Sequence, residues 1–186
     1  VAVSGTSRPR AVLGVAGGIA AYKLAFVASR LVQRGVDVRV AMTPSSLAFV
    51  GPSTFGGLTN TQPILGSTQV DADGTVPHIE AARGAGVYCI APATAGVLAQ
   101  LASGAADDPV ALLATTMQCP IVLCPAMNDA MWGQPSVQQN VATLQERGFE
   151  VLGPVEGHLA EGYDAVGRMV EPDEIVARLC AHLGIG

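Results

Sequence analysis

Charge is scarce in this chain, and so are aromatics. Charged residues make up 13% and aromatic residues 4%, against a hydrophobic share of 49%. So thin a charged surface predicts that part of it is buried against other copies of the chain. The net charge is −5 and no Lys/Arg cluster occurs, which argues against nucleic acid and against an anionic membrane as partners. There is no CxxC and no His/Cys cluster around Cys89, Cys119, Cys124 and Cys180. Structural thiols in a reducing cytoplasm are therefore expected, with no metal site and no secretory leader. A G-x-S-x-G nucleophile turn is also missing. The uncharged stretch from Gly84 to Ala106 is broken by Pro92, Gly96, Gln100 and Gly104. Its pattern changes from strand to helix midway, which rules out a membrane span.

What is present has the length of one domain, read as a flexible leader over residues 1–9 and a single domain over 10–186. Apolar runs AVLGVAG (11–17), GVYCIAP (86–92), PIVLCP (120–125) and FEVLGP (149–154) read as strands, and VDVRVAMT (36–43) alternates as one. Helical patterns fall at 19–35, 77–84, 94–104, 107–117 and 135–148, and near the C-terminal PDEIVARLCAHLG. Residues 51–76 read as a long irregular segment and 153–168 as a Gly-rich loop. Strands this apolar, alternating with helices, predict an α/β fold whose mainly parallel sheet is covered on both faces.

GVAGGIAAYK (14–23) joins a strand to a helix through glycines. Such a turn lets the backbone approach a phosphate, which amide N–H groups and the helix dipole then hold. The second strand ends in Met42-Thr43-Pro44, without the acidic residue that grips a dinucleotide ribose. A mononucleotide such as FMN, with Thr43 as a neutral phosphate ligand, fits better than NAD. Tight helix-to-strand packing without a ligand is the competing account, and the motif alone does not separate the two. His78 follows Pro77 at a helix start, where a neutral imidazole suited to base chemistry is favoured; taken alone, it reads better as a turn-capping surface residue. His158, in a loop, and His182, on the terminal helix, read as surface residues. APATAG (91–96) and CPAMN (124–128) both end strands at the carboxyl edge of the sheet, where ligands bind in open α/β folds. Asn128 offers two donors and an acceptor, enough to hold a carboxylate without supplying a proton. Met127, Met131 and Trp132 crowd around it.

Together these motifs resemble the homo-oligomeric flavin-containing cysteine decarboxylases, from about Arg10 to the last helix. GGIAAYK is similar to that family's flavin-phosphate loop, PHIEAAR to the stretch carrying its active-site histidine, and APATA to its flavin-contacting turn. PAMNDAMW is similar to its signature P-x-M-N-x-x-M-W. The resemblance implies a Rossmann-like (flavodoxin-like) three-layer sandwich, FMN as cofactor (FAD being possible), and a homotrimer or a dodecamer built of trimers. It assigns flavin contacts to Gly17, Gly18, Ile19, Thr43 and Phe49, to Thr94, Ala95, Gly96 and Val97, and to Ala126 and Met127. His78 becomes the base or proton shuttle and Asn128 the carboxylate clamp, with Met131, Trp132 and Glu161 beside the substrate.

Two branches of that family carry different substrates. One decarboxylates phosphopantothenoylcysteine for coenzyme A, using a late A-C-G-D motif whose cysteine returns a proton. The other oxidatively decarboxylates the C-terminal cysteine of a ribosomal precursor peptide and leaves an enethiol. Here HLAEGYDAVGRM (158–169) puts Glu161 at that cysteine's place. The expectation is therefore the peptide branch, with the coenzyme A enzyme or a non-catalytic flavin-binding subunit as alternatives. Gly96 and Asp107 also depart from the family's usual residues.

Overall fold

The computed structural model describes residues 8–186. Of the leader expected over 1–9, residues 1–7 lie outside the described residues. Five strands form one parallel sheet: β1 (Arg10–Val15), β2 (Asp37–Met42), β3 (Ala85–Ala93), β4 (Ile121–Pro125) and β5 (Glu150–Val151). Their spatial order is β2-β1-β3-β4-β5, every pair parallel. This is the order of a flavodoxin-like doubly wound sheet, and the expected fold holds.

Alternation along the strands makes the three layers. Ala11, Leu13 and Val15 enter one core with α1 (Lys23–Gln33) and α8 (Pro172–Leu183). Val12, Tyr88 and Ile90 point the other way, into a second core with α4 (Ala95–Ser103), α5 (Pro109–Thr116) and α7 (Pro135–Glu146). Helix α1 buries Leu24, Val27, Ala28 and Leu31, the spacing of one helical face. Each buried leucine there contributes about 1.5–3 kcal/mol. Asp108 opens α5 by accepting from the Val110 and Ala111 amides at 2.8 and 3.0 Å, a side-chain cap for orphan N–H groups.

Three segments differ from expectation. The helix read over 19–35 begins as a 3-10 turn, Ile19–Tyr22, with no side-chain cap at Gly18. The irregular segment 51–76 contains α2 (Pro52–Thr59), which buries Phe55 completely. The Gly-rich loop 153–168 is an antiparallel hairpin, β6 (Val155–His158) and β7 (Asp164–Arg168). Two short helices complete the order, α3 (Pro77–Ala82) and α6 (Asp129–Trp132). Among the described residues no helix is long and apolar enough to cross a membrane.

Candidate functional site

Strands β1, β3 and β4 are neighbours, so their carboxyl ends open side by side. There the chain turns sharply three times, at Gly17-Gly18, at Thr94 and at Ala126-Met127-Asn128. These turns surround a cavity of about 580 Å³, within the usual range for a cofactor or small-molecule site. The β6–β7 hairpin forms another wall through His158, Leu159, Ala160 and Glu161.

The hairpin is held over the cavity by identifiable contacts. Gly167 O accepts from the Met127 amide at 3.0 Å. A side chain at Gly167 would run into the Met127 carbonyl, so only glycine permits this approach. Leu159 is buried, and its amide donates to the Tyr163 carbonyl at 2.9 Å, closing the hairpin turn. His158 Nδ1 and Asp164 Oδ1 lie 3.1 Å apart across the strand pair. Asn128 caps α6 by accepting from the Ala130 amide at 2.9 Å, which fixes its amide orientation and turns Nδ2 toward Tyr163 Oη at 3.1 Å.

Two cations face the same space. Lys23 is buried, with Nζ donating to Glu171 Oε1 at 3.1 Å and to the Met169 carbonyl at 3.4 Å. Arg168 donates to the same Glu171 oxygen at 2.6 Å. The Lys23 hydrogen bond holds the Glu171 carboxyl below its ordinary pKa, with Arg168 adding to the effect. Lys23 and Arg168 line the cavity while Glu171 does not, a layout that suits an anionic ligand.

Of the expected site residues, Gly17, Gly18, Ile19, Thr94, Ala126, Met127, Asn128, Met131 and Glu161 line this cavity. Ala95, Gly96 and Val97 follow Thr94 into α4 and do not line it. Trp132 packs against the second hydrophobic core rather than walling the cavity. Thr43 is buried, and its hydroxyl accepts from the Ser46 amide at 3.3 Å as the cap of the 3-10 turn Pro44–Ala48. The exposed Ser45 hydroxyl lies 3.0 Å from Thr43 Oγ1, and neither residue lines the cavity. Ser45 also packs on Gly17, where an added Cβ would sit 2.5 Å from its Oγ. Phe49 is 48% exposed and outside the cavity. His78, at the start of α3, does not line it either. The sequence reading missed Lys23 and Arg168, while His158, read as a surface residue, is exposed and also lines the cavity. A lysine inside the GGIAAYK turn was the available signal for Lys23.

The flavoprotein family profile matches residues 4–184. The chain belongs to the flavoprotein family. This flavoprotein is 42% identical over 170 residues to the bifunctional coenzyme A biosynthesis protein CoaBC of Mycolicibacterium smegmatis, covering 91% of this chain and 41% of that protein. It therefore spans about two fifths of the length of the curated relatives it matches. Among solved structures, a cysteine-to-serine mutant of PPC decarboxylase complexed with pantothenoylaminoethenethiol superposes with a TM-score of 0.81 at 28% identity, covering 94% and 97% of the two chains. The FMN-dependent cysteine decarboxylase SpaF gives 0.79 at 31% identity, covering 95% and 98%.

The residues fit a flavin mononucleotide. Gly17 and Gly18 bring backbone amides to the cavity edge beside the Ser45 hydroxyl, a corner that can hold a phosphate. The apolar rim of Ile19, Met127 and Met131 suits a flat ring system. Among the described residues no group of His, Cys, Asp or Glu is arranged to hold a metal ion.

Proposed function

We propose that this flavoprotein is an FMN-dependent decarboxylase of substrates ending in a cysteine carboxylate, with phosphopantothenoylcysteine as its first substrate. The observation carrying the reading is the meeting of Asn128, Lys23 and the Gly17-Gly18 turn around one cavity. The substrate choice rests on the curated relatives, CoaBC proteins 38–42% identical to this chain, whereas the solved PPC decarboxylase and SpaF, at 28% and 31%, do not separate the two. Those relatives favour the coenzyme A substrate over the precursor peptide expected from Glu161 alone.

FMN, when bound, supplies a two-electron acceptor for the thiol-bearing carbon, and the resulting carbon–sulfur double bond lets CO₂ depart. The chain's own residues do the rest. One Nδ2 hydrogen of Asn128 goes to Tyr163, which leaves the other for the substrate carboxylate. Lys23 and Arg168 draw anionic groups into the cavity. His78 stands outside the cavity of its own chain, so a second copy supplies it as base or proton shuttle in a homo-oligomer. Ile19, Tyr22 and Phe26 are 66%, 51% and 56% exposed on the cavity side of α1 and its leading turn, and such a patch suits an interface between copies.

A second reading concerns the product. Glu161 lines the cavity where the coenzyme A branch carries its proton-returning cysteine. A carboxylate differs from a thiol in size and acidity, and in this reading the proton is not returned, so the reaction stops at the enethiol and the electrons remain with the cofactor. This supports oxidative decarboxylation, including that of a Cys-ended peptide. The test is incubation of the FMN-loaded protein, separately, with phosphopantothenoylcysteine and with synthetic peptides ending in cysteine, read by mass. Loss of CO₂ from the first substrate supports the main reading. Loss of CO₂ plus two hydrogens from either marks the enethiol product. No mass change in any substrate overturns both.

A further inference from the structure

We propose that Tyr163 is a positioning residue that latches the β6–β7 hairpin to the strand-end turn, aims Asn128 into the cavity and keeps Asp129 out of it. The inference rests on the reading of Asn128 as the carboxylate clamp.

The observations form a continuous chain of hydrogen bonds. Asn128 Oδ1 accepts from the Ala130 amide at 2.9 Å, and Asn128 Nδ2 donates to Tyr163 Oη at 3.1 Å. Tyr163 Oη then donates to Asp129 Oδ1 at 2.6 Å, the short distance of a hydroxyl bound to a carboxylate. Both ends of the Asn128 amide are thus fixed, and a single Nδ2 hydrogen is left over. Asn128 lines the cavity and Asp129 does not. The neighbouring residues therefore have opposite fates: the amide faces the substrate space, and the carboxylate is tied to a phenol on the hairpin.

This arrangement matters because Asp129 follows the proposed clamp directly. Released from Tyr163, its negative charge would swing beside the site meant for a substrate carboxylate and oppose it. The hairpin also depends on the bond. Its strands are largely solvent-exposed, VEGH and DAVGR having few buried positions. The Gly167–Met127 approach and the Tyr163 hydrogen bonds attach it to the strand-end side. Of these, only Tyr163 reaches the clamp by side chain. The hydrogen bond to Asp129 raises the Tyr163 pKa above its ordinary value, so the phenol keeps its proton and the latch stays a donor. Tyr163 also sits two residues from Glu161, so opening the latch withdraws that carboxylate from the cavity as well.

Tyr163→Phe keeps the ring and removes both hydrogen bonds, and it is tested in the full FMN-loaded chain in two ways. The first needs no substrate. Amide hydrogen exchange across residues 155–168 should speed up about tenfold, as expected for losing a charge-assisted hydrogen bond. Asp129→Ala should copy this change, whereas Asp129→Asn, which keeps an acceptor for the phenol, should restore most of the protection. The double variant Tyr163→Phe/Asp129→Ala should be no faster than either single one. The second measurement is kinetic, with whichever Cys-carboxylate substrate turns over. KM should rise about tenfold while kcat stays within about twofold, the pattern of lost uniform binding. Unchanged exchange in Tyr163→Phe overturns the latch, as does faster exchange in Asp129→Asn equal to that in Asp129→Ala. Faster exchange with unchanged KM overturns the link to the clamp. Absence of turnover in the wild type refutes the proposed function instead, and the exchange data still decide the latch.

Discussion

Replacing Gly17 by alanine should cost this protein its flavin before it costs the fold. A methyl at that position would lie 2.5 Å from Ser45 Oγ, 2.7 Å from Ser45 Cβ and 2.8 Å from the Ser45 carbonyl carbon. Backbone is involved, so no rotamer change of Ser45 relieves the contact, and the two turns must separate. Overpacking of this kind is worth about 1–3 kcal/mol. Both segments are turns at the sheet edge, so they open apart more easily than the strands behind them shift. The strain then appears as lost FMN affinity, about five- to 150-fold at about 1.4 kcal/mol per decade. Fluorescence quenching of FMN on titration measures it, alongside thermal unfolding of the flavin-free protein. The melting temperature should fall by less than about 4 °C, since each kcal/mol felt by the whole fold moves a domain of this size about 2–4 °C. Adding Ser45→Gly removes the Oγ and Cβ contacts but leaves the carbonyl carbon in place, so it should restore affinity only in part. Gly57→Ala, on a helix face with nothing within 4 Å, is the control and should bind FMN normally. A Gly17→Ala protein with wild-type FMN affinity would refute the reasoning that the two turns form one cradle.

His78→Asn should lower turnover about 10²–10⁴-fold with FMN still bound. Mixed with Asn128→Asp chains and reassembled, it should recover about a quarter of wild-type activity, the fraction of sites in a cyclic trimer pairing an intact His78 with an intact Asn128; no recovery would place both residues in one chain's site. Asn128→Asp preserves the cap on Ala130 but loses the Nδ2 bond to Tyr163, so the melting temperature should fall only slightly. Two like charges about 4 Å apart oppose each other by about 4 kcal/mol at an effective dielectric near 20, so substrate affinity should drop by about three decades, and an unchanged KM would remove the clamp. Burial works against the Glu150 carboxylate, but hydrogen bonds from Arg178 and His182 outweigh it and hold its pKa below 4.5. Its contribution is then present above that value and lost as pH falls through the lower folded value. The melting-point advantage of the wild type over Glu150→Gln should shrink on acidification below 4.5, and a pH-independent gap would contradict the assignment.

The parts of the fold legible from sequence were those whose burial is two-sided. Strands such as IVLCP, apolar on both faces, leave a run no loop would carry, and the alternation of such runs with helices gives the sheet its parallel character. Helix α2 escaped because Gly56, Gly57 and its threonines are poor helix formers; what holds it is Phe55 against the first core, a tertiary fact. The hairpin escaped for a related reason. Strand β7 alternates in burial, but its inward positions are Ala165 and Gly167, too small to mark a pattern, and the hairpin is fixed by a glycine meeting the Met127 carbonyl, which no pattern in the sequence announces. Thr43 was chosen because strand-end position was visible while the commitment of its hydroxyl to a cap was not. His158 looked isolated until register put Asp164 opposite it.

The miss at the hairpin explains the divided reading of function. The strand-end turns are dictated by the sheet, so Gly17, Thr94 and Asn128 were found from the sequence and carry the resemblance to both decarboxylase groups. The hairpin is not dictated by the sheet. It can change residues without disturbing the core, because its attachments to the strand-end side are Gly167 and Tyr163. It is also where Glu161 stands. Under the proposed function, the strand-end edge holds flavin and carboxylate beneath a replaceable cover that meets the reacting sulfur, which lets one fold keep its decarboxylation while altering what happens to the product. Identity counted over the whole chain is weighted toward the edge and the core, and it therefore speaks to the shared chemistry more than to the cover. The substrate is accordingly better judged from reactions that depend on residues 155–168 than from the similarity of the remaining chain.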